Sequence, residues 1–212
     1  MSFSIPTLAQ AESDYQNWLT LEGLSELSPQ ARRWLLYGLL QTRRGGMGTV
    51  SVVRAAAGLR LSEETNMMVG GDWLATLADR GGAEAHEHRL WQQFQVSFEW
   101  PYQLQLGLRT RVEERFSPDD SGVGIRLRQR VRLVWDFEHL PSAFSAFSVE
   151  AFFAMNDNTW SQQAGFDQIR LYGAIGYHFT NELRAEIGYQ LLAQEENSSV
   201  FFSQYSRFLA LE

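Results

Sequence analysis

The sequence predicts an all-β protein, a single up-and-down antiparallel transmembrane β-barrel of about 12 strands, with 10 strands as the second expectation. Three observations predict it. Apolar and polar residues alternate with period two through most of the chain, whereas the 3.6-residue period of a helix is nearly lacking. The alternating segments are long, at about 12 residues each. Short connections alternate with longer polar ones, which is typical of a meander whose two ends differ.

Eleven strand-like segments follow one another along the chain. They cover about residues 14–24, 32–43, 49–61, 66–77, 86–99, 102–116, 124–136, 143–155, 166–179, 182–193 and 199–211. Some connections are short, such as EWPYQ (99–103) and FTNEL (179–183), and others are longer and polar, such as SPDDSGVG (117–124). Because an ordinary single-chain bacterial barrel has an even number of strands, we expect that one segment is missed, truncated or split.

The length of the segments suits a membrane. Twelve residues at about 3.3 Å each span roughly 40 Å, and a tilt of about 45° reduces this to roughly 28 Å of thickness. The apolar band of outer-membrane barrels is about 25 Å tall, whereas strands of soluble proteins usually have about 5–6 residues. Segment length therefore favours a barrel that spans a membrane.

The segment GIRLRQRVRLVW (124–135) indicates which face points outward. Its arginines stand at every second position, between mostly apolar residues. A membrane barrel turns its apolar side chains to lipid and its polar side chains to the interior. We therefore expect Ile125, Leu127, Val131 and Leu133 to face lipid. The arginines would face the lumen, where guanidinium groups can stack and pair bidentately with carboxylates.

The polar face of the segments is basic as a whole. It carries 12 of the 18 arginines, Arg54 and Arg60 among them, and five acidic residues, so it sums to +7 although the chain sums to −7. The predicted lumen-lining residues are Arg89, Arg109, Arg111, Glu113, Arg115, Arg126, Arg128, Arg130, Arg132, Glu150, Gln168, Arg170, Arg184 and Glu186. The chain has no lysine; an enclosed, hydrogen-bonded setting favours the planar five-donor arginine, and a GC-rich genome produces the same bias. Gly107, Gly176 and Gly188 fall on this face and would relieve crowding there.

Aromatic residues gather at the ends of segments that meet at short turns. The residues concerned are Phe98, Trp100, Tyr102, Trp135, Tyr177 and Phe179. An amphipathic ring prefers the level of the lipid headgroups, so these positions predict an interfacial girdle. Aromatic pairs that stabilise hairpin ends would give the same pattern in a soluble protein.

Residues 1–13 are expected to be a residual signal-peptide or N-terminal segment, and residues 14–212 the barrel. The tripeptide AQA at 9–11 resembles a signal cleavage site, but the charged start and apolar run of a signal peptide are missing. No stretch of about 18 apolar residues predicts a transmembrane helix. Without cysteine, the chain can form neither a disulfide scaffold nor a thiolate metal site.

A series of short motifs carries a resemblance to a known family. They are DYQNW (14–18), RRWLLYGLLQTR (32–43), EHRLWQQ (87–93), LRTRVEERF (108–116), IRLRQRVRL (125–133), VEAFF (149–153), FDQIRLYGAIGY (166–177) and LRAEIGY (183–189). In order and spacing the chain resembles the bacterial proteins grouped as domain of unknown function 2490. The resemblance implies a Gram-negative outer-membrane β-barrel, inserted by the barrel-assembly machinery, with no catalytic residues to carry over.

The chain departs from that family in two places. Ile169 stands where the family usually has asparagine, and the sequence ends in FLALE without the terminal aromatic residue typical of outer-membrane barrels. With the incomplete signal sequence, this suggests a chain trimmed at both ends.

The function predicted is that of a porin-like outer-membrane barrel of unknown specific activity. A structural barrel plugged by its own side chains and a narrow anion-favouring channel both remain open. One alternative is an outer-membrane lipid-modifying enzyme; His86 and His88 lie near a long loop, but no G-x-S-x-G motif accompanies them. Another is a soluble calycin-like carrier, which would need an apolar cavity.

The sequence predicts no catalytic residue, cofactor or metal site. His86 and His88 with Glu84 or Asp79 have a spacing that a metal could use, but such pairs are common by chance. The expected partners are outer-membrane lipid and the barrel-assembly machinery. The net charge of −7 argues against nucleic acid, and the oligomeric state stays open.

Overall fold

The structure is a computed structural model that describes residues 16–27, 33–45, 48–78, 84–158, 160, 163–194 and 200–211, with the backbone alone for 194 and 200–211. The expected N-terminal segment 1–13 lies outside these residues. No helix in the described part of the chain is long and apolar enough to cross a membrane.

Eleven strands make up the described fold. They are β1 (Asn17–Glu26), β2 (Trp34–Gly45), β3 (Gly48–Arg60), β4 (Thr65–Ala78), β5 (Glu84–Trp100), β6 (Leu104–Phe116), β7 (Gly124–Phe137), β8 (Leu140–Ala154), β9 (Gly165–His178), β10 (Leu183–Gln194) and β11 (Val200–Leu211). Each of the eleven predicted segments is a strand, and the observed bounds differ from the expected ones by three residues or fewer. The all-β expectation is confirmed.

The strands form a closed barrel in chain order. From β1 to β10 every neighbouring pair is antiparallel, which gives a ten-stranded up-and-down sheet and meets the second expectation for the strand count. The first expectation, 12 strands, is not met by the described residues. β11 pairs antiparallel with β10 and parallel with β1, since the first and last of eleven alternating strands run in the same direction. The barrel thus closes at a parallel seam, which the expectation of an even count did not allow for.

The two ends of the barrel differ, as expected. At one end, four connections have two to four residues: 61–64, 101–103, 138–139 and 179–182. At the other end, the connections 117–123 and 155–164 are longer. The turn after β5 is tight enough to place Tyr102 and Gln103 at φ of 66° and 60°, in the left-handed region that side chains other than glycine rarely adopt.

The faces of the strands are inverted relative to a soluble barrel. Along β7, Val131 and Trp135 are 44% and 53% exposed on the outside, whereas Arg126 and Arg128 are each only 6% exposed on the inside. The same alternation holds from β1 to β10, because the side chains of a strand point alternately to its two faces. The described barrel therefore has a mostly apolar outer surface and an interior rich in charged residues, with apolar clusters of Leu35 and Met68 and of Leu39, Val52 and Leu74 on the inner side of β2 to β4.

One polar pair interrupts the apolar outer surface. Thr110 on β6 donates a hydrogen bond to the side chain of Gln129 on β7 at 2.8 Å, and the two residues are direct partners across the strands. Both lie near the middle of their strands, with Gln92 of β5 on the same face.

Close packing on the inner face leaves no room for a side chain at two glycine positions. Gly176 of β9 faces Phe144 of β8 across the sheet, and a Cβ atom there would lie 2.0 Å from the Phe144 ring. Gly188 is similarly crowded, since a Cβ atom would meet that of Ala174 at 2.6 Å. Gly107 has no such neighbour within 3.8 Å, so the crowding argument applies to two of the three glycines.

Candidate functional site

A central cavity of about 400 Å³ lies inside the barrel and is lined by residues from β1 to β10. Its lining reaches from Gln105, at the short-turn end of the barrel, to Arg43, at the long-loop end. The charged residues of the lining are Arg43, Arg54, Arg89, Arg109, Arg111, Arg126, Arg128, Arg130, Arg132, Arg170, Arg184, Glu22, Glu150 and Glu186. Eleven arginines stand against three glutamates in the lining, although four carboxylates outside it, those of Asp72, Glu87, Glu113 and Asp167, pair with lining arginines and reduce the excess of positive charge.

Buried carboxylates and guanidinium groups form a chain across β6, β7 and β8. Glu113 is fully buried and accepts hydrogen bonds from Arg126 Nη2 at 2.7 Å and Arg128 Nη1 at 2.5 Å. Arg128 Nε also donates to Glu150 at 2.9 Å, and Arg109 Nη2 donates to the same oxygen at 2.5 Å. Arg128 therefore links two buried carboxylates, and removal of either would leave buried charge uncompensated.

A second group is built around the indole ring of Trp91 on β5. Its Nε1 donates to Asp72 Oδ1 at 2.6 Å, and Arg54 holds the two oxygens of the same carboxylate at 2.7 and 2.5 Å. The guanidinium of Arg111 lies over the ring at 3.9 Å from its centroid and donates to Gln93 at 2.6 Å. Stacking on an aromatic face places a guanidinium while leaving its N–H groups directed outward from the ring.

Guanidinium groups also lie over other aromatic rings that face inward. Three guanidinium groups lie 4.5 to 5.3 Å from the centroid of the Phe152 ring, those of Arg126, Arg128 and Arg170. Arg43 lies 4.0 Å over the ring of Trp18 and donates to Gln41 at 2.6 Å. The rings therefore space the cationic groups along the cavity wall.

Glu186 on β10 anchors a cluster nearer the short-turn end. It accepts hydrogen bonds from Arg132 Nη2 at 2.5 Å and from the hydroxyl of Tyr172 at 3.2 Å. Arg184 lies 3.9 Å from the carboxylate on the same strand. One carboxylate thus serves two arginines.

Glu87 on β5 anchors a cluster toward the long-loop end. Arg89 Nε and Arg115 Nε donate to its Oε1 at 2.7 and 2.5 Å. The guanidinium of Arg115 lies 5.4 Å from the ring centroid of Trp160 in the connection after β8. This cluster joins the barrel wall to a long loop.

Arg130 differs from its neighbours on β7. It makes no hydrogen bond or ion pair with any residue that the structure describes, although it lines the cavity and is half-buried. Its cross-strand partners are Arg109 and Glu150. The cavity therefore contains an arginine that pairs with no carboxylate in the part of the chain that the structure describes.

The histidines near the long-loop end are held by other contacts. His86 stacks on Trp73 with ring centroids 5.8 Å apart, and its Nε2 lies 3.4 Å from Glu84. His88 is exposed on the outer face. Within the described ranges, no three His, Asp or Glu side chains are grouped to hold a metal ion; Asp79 lies outside those ranges.

Comparison with known families shows to which of them the chain belongs. The family model described as "Protein of unknown function (DUF2490)" matches residues 15–200. The chain belongs to the DUF2490 family.

This DUF2490 chain also has a relative among curated proteins. An uncharacterized protein of Methylorubrum extorquens is 32% identical over 90 residues, which are 41% of this chain and 38% of that protein. The matched part spans about two fifths of that relative, so the comparison supports kinship over a part of the barrel.

A solved structure shares the fold of this DUF2490 barrel. The NanC porin, solved in a rhombohedral crystal form, superposes with a TM-score of 0.50 at 11% sequence identity, covering 89% of this chain and 90% of that one. At this identity the likeness concerns the fold alone, and it supports a porin-like β-barrel.

The structure places the fourteen predicted lumen residues in or beside the central cavity. Eleven of them line it: Arg89, Arg109, Arg111, Arg126, Arg128, Arg130, Arg132, Glu150, Arg170, Arg184 and Glu186. Glu113 is not part of the lining but accepts a hydrogen bond from Arg126, which is. Arg115 donates a hydrogen bond to Glu87. Gln168 is buried near the start of β9, with 4% of its surface exposed.

The six predicted interface aromatics lie together at the short-turn end. All are exposed, from 44% for Phe98 to 91% for Tyr102, with Trp100, Trp135, Tyr177 and Phe179 between these values. Trp34, at the start of β2 and 51% exposed, joins them at the same end and was not predicted.

Sequence reasoning missed the aromatic residues that face inward and one arginine. The residues missed are Trp18, Tyr37, Arg43, Trp91, Phe144, Phe152 and Tyr172. The strand register contained the signal: Trp91 lies two residues from Arg89, and Tyr172 two residues from Arg170, so each shares its arginine's face.

Proposed function

We propose that this DUF2490 protein resides in the bacterial outer membrane and conducts small anions through its arginine-lined cavity, which then acts as a lumen. The observation that carries the proposal is the excess of eleven arginines over three glutamates around the central cavity. Outer-membrane lipid and the barrel-assembly machinery are the partners that such a barrel requires.

The outer surface supports the membrane location. A β-barrel in lipid presents an apolar band bordered by aromatic residues. Here Leu19, Leu40 and Val69 are 54–61% exposed along the strands, and the aromatic group marks the short-turn end. A soluble barrel would leave this apolar surface in water, and a soluble carrier would need an apolar interior in place of the charged one.

The charge of the interior supports selectivity for anions. Fixed charges inside a low-dielectric wall act on a permeating ion with little screening. The carboxylates of Glu113, Glu150 and Glu186 neutralise some guanidinium groups, but the excess of positive charge remains. Cations would be repelled along most of the cavity, and small anions attracted.

The dimensions of the interior favour small solutes. A cavity of about 400 Å³ distributed along the barrel axis is narrow. Barrels of about eight strands are filled by their own side chains, and those of 16–18 strands enclose wide channels. The eleven strands of this barrel lie between these two sizes, and long arginine side chains narrow its interior further. Such a barrel would pass only ions and small metabolites.

Planar-bilayer recording tests the proposal. The refolded full-length protein is placed between KCl solutions of unequal concentration, and the sign of the reversal potential reports the preferred ion. We expect the barrel to conduct with a preference for chloride. In Arg130→Ala this preference for chloride should be smaller. The matched control is Arg44→Ala. It removes the same charge from an exposed position on the outer face, near the long-loop end of β2. A folded barrel that prefers potassium would contradict the proposal.

A plugged structural barrel is the second candidate, favoured by the buried chain of Glu113, Arg128 and Glu150. These side chains are tightly paired and occupy interior volume. Such a barrel would fold and insert into bilayers but give no current, so the same recording separates the two functions.

A further inference from the structure

We infer that Arg109 and Arg130 form a binding site inside the barrel for a small oxyanion, a carboxylate or a phosphate group. The inference rests on the proposed function, because it assigns the permeating anion a place at which it is held. Binding is measured separately from conductance, so the two can fail independently.

Two like charges face each other at this site. Arg109 of β6 and Arg130 of β7 are direct cross-strand partners, and both side chains point into the cavity. Like charges in directly opposite positions destabilise a sheet unless something compensates them. A compensating carboxylate or ligand is therefore needed between these two strands.

The carboxylate opposite Arg130 on β8 accepts hydrogen bonds from two other arginines, both at its Oε1 atom. Glu150 is the cross-strand partner of Arg130 on β8, but its hydrogen bonds come from Arg109 at 2.5 Å and from Arg128 at 2.9 Å. Arg130 makes no ion pair with any described residue, whereas Arg126, Arg128 and Arg132 on the same strand each pair with a glutamate.

Arg109 also has an unsatisfied hydrogen-bond donor. Its Nε is buried and has no hydrogen-bond partner among the described residues. A buried donor without an acceptor costs stability, and a bound ion is one of the ways in which such a group is satisfied. The buried Nε of Arg109 and the guanidinium of Arg130, which makes no ion pair with any described residue, thus belong to two cross-strand partners that both line the cavity.

The geometry fits an anion with two or more oxygens. Planar guanidinium groups bind carboxylates and phosphates bidentately, with short charge-assisted hydrogen bonds. Ser148, the cross-strand partner of Arg132, adds a hydroxyl to the cavity lining one step along the strand. Two guanidinium groups compensate a doubly charged phosphate better than a singly charged carboxylate, so phosphate should bind more tightly.

Equilibrium binding to the refolded full-length barrel in detergent tests the site. Inorganic phosphate and acetate are titrated separately at constant ionic strength, with chloride as the replaced ion, and binding is followed by calorimetry and by the shift in unfolding midpoint. We expect saturable binding of both anions, tighter for phosphate. In Arg130→Gln the affinity should fall at least about tenfold, because charge-assisted hydrogen bonds are lost.

Matched variants make the result specific. Arg44→Gln removes an exposed arginine from the outer face and should bind phosphate as the wild type does. If Arg130→Gln does not fold, Arg130→Lys keeps the charge without the planar fork and should bind acetate and phosphate more weakly than wild type. Equal binding by wild type and the Arg130 variants would overturn the site. Phosphate binding by a barrel without conductance would keep the site and reject the channel.

Discussion

Replacing Glu113 by glutamine removes one negative charge from the interior while keeping the shape of the side chain. Glu113 is fully buried, and its two oxygens accept hydrogen bonds from Arg126 and Arg128. In the variant, one of these oxygens becomes an NH₂ group that must face guanidinium N–H donors. The substitution therefore replaces attraction with donor–donor contact at a site without access to water.

The expected loss of stability follows from these contacts. Removing one partner of a buried ion pair costs roughly 3–5 kcal/mol, because the remaining charge stays buried. Arg128 keeps its hydrogen bonds to Glu150, and Arg126 keeps Asp167 at 3.6 Å, so the cost should not exceed this range. We expect the free energy of unfolding to fall by about 3–5 kcal/mol in Glu113→Gln.

Urea unfolding of the refolded protein in phospholipid vesicles measures this change, with tryptophan fluorescence as the signal. The matched control is Glu114→Gln, which neutralises the next residue on the opposite face. Glu114 makes no ion pair with any described residue, and its substitution should change stability by less than about 0.5 kcal/mol. A loss below about 1 kcal/mol in Glu113→Gln, or equal losses in both variants, would refute the reasoning.

Three further substitutions test other parts of the barrel by the same unfolding measurement. Gly176→Ala places a methyl group 2.0 Å from the ring of Phe144 and should cost about 1–3 kcal/mol; an unchanged midpoint would show that the ring does not pack there. Trp91→Phe keeps an aromatic ring in the interior but removes the donor to Asp72, and we expect a loss of about 1–2 kcal/mol. Gln129→Leu removes an amide from the outer face and should raise stability in vesicles by about 1 kcal/mol, whereas a loss would mean that this face does not contact lipid.

Much of the fold follows from local pattern, which is why the sequence predicts it. Period-two alternation marks each strand, and turn residues mark its ends, so all eleven strands are recovered to within three residues. The same alternation assigns Arg126 and Arg128 to one face and Val131 to the other. These properties depend on neighbours in the chain and need no knowledge of distant contacts.

Closure and pairing depend on contacts between distant strands, and the sequence indicates them poorly. The parallel seam between β1 and β11 depends on an odd strand count; the pattern marks eleven segments, but the rule of an even count led to the expectation of 12 or 10. That Arg128 joins Glu113 to Glu150, while Arg130 has no partner among the described residues, depends on cross-strand register and rotamers. Trp91 was missed because aromatic residues were considered only at the ends of the segments, although its register with Arg89 places it inside.

Spin labelling along β7 tests the arrangement on which the account depends most. The chain has no cysteine, so single cysteines can replace Leu127, Val131 and Leu133 on one face, and Arg130 and Arg132 on the other. In vesicles, labels at the first three positions should collide with oxygen dissolved in lipid and hardly at all with a water-soluble nickel chelate. Labels at the two arginine positions should show lower oxygen accessibility, giving a period of two along the strand. Higher oxygen accessibility at the arginine positions, or no alternation, would contradict a membrane barrel with its guanidinium groups inside.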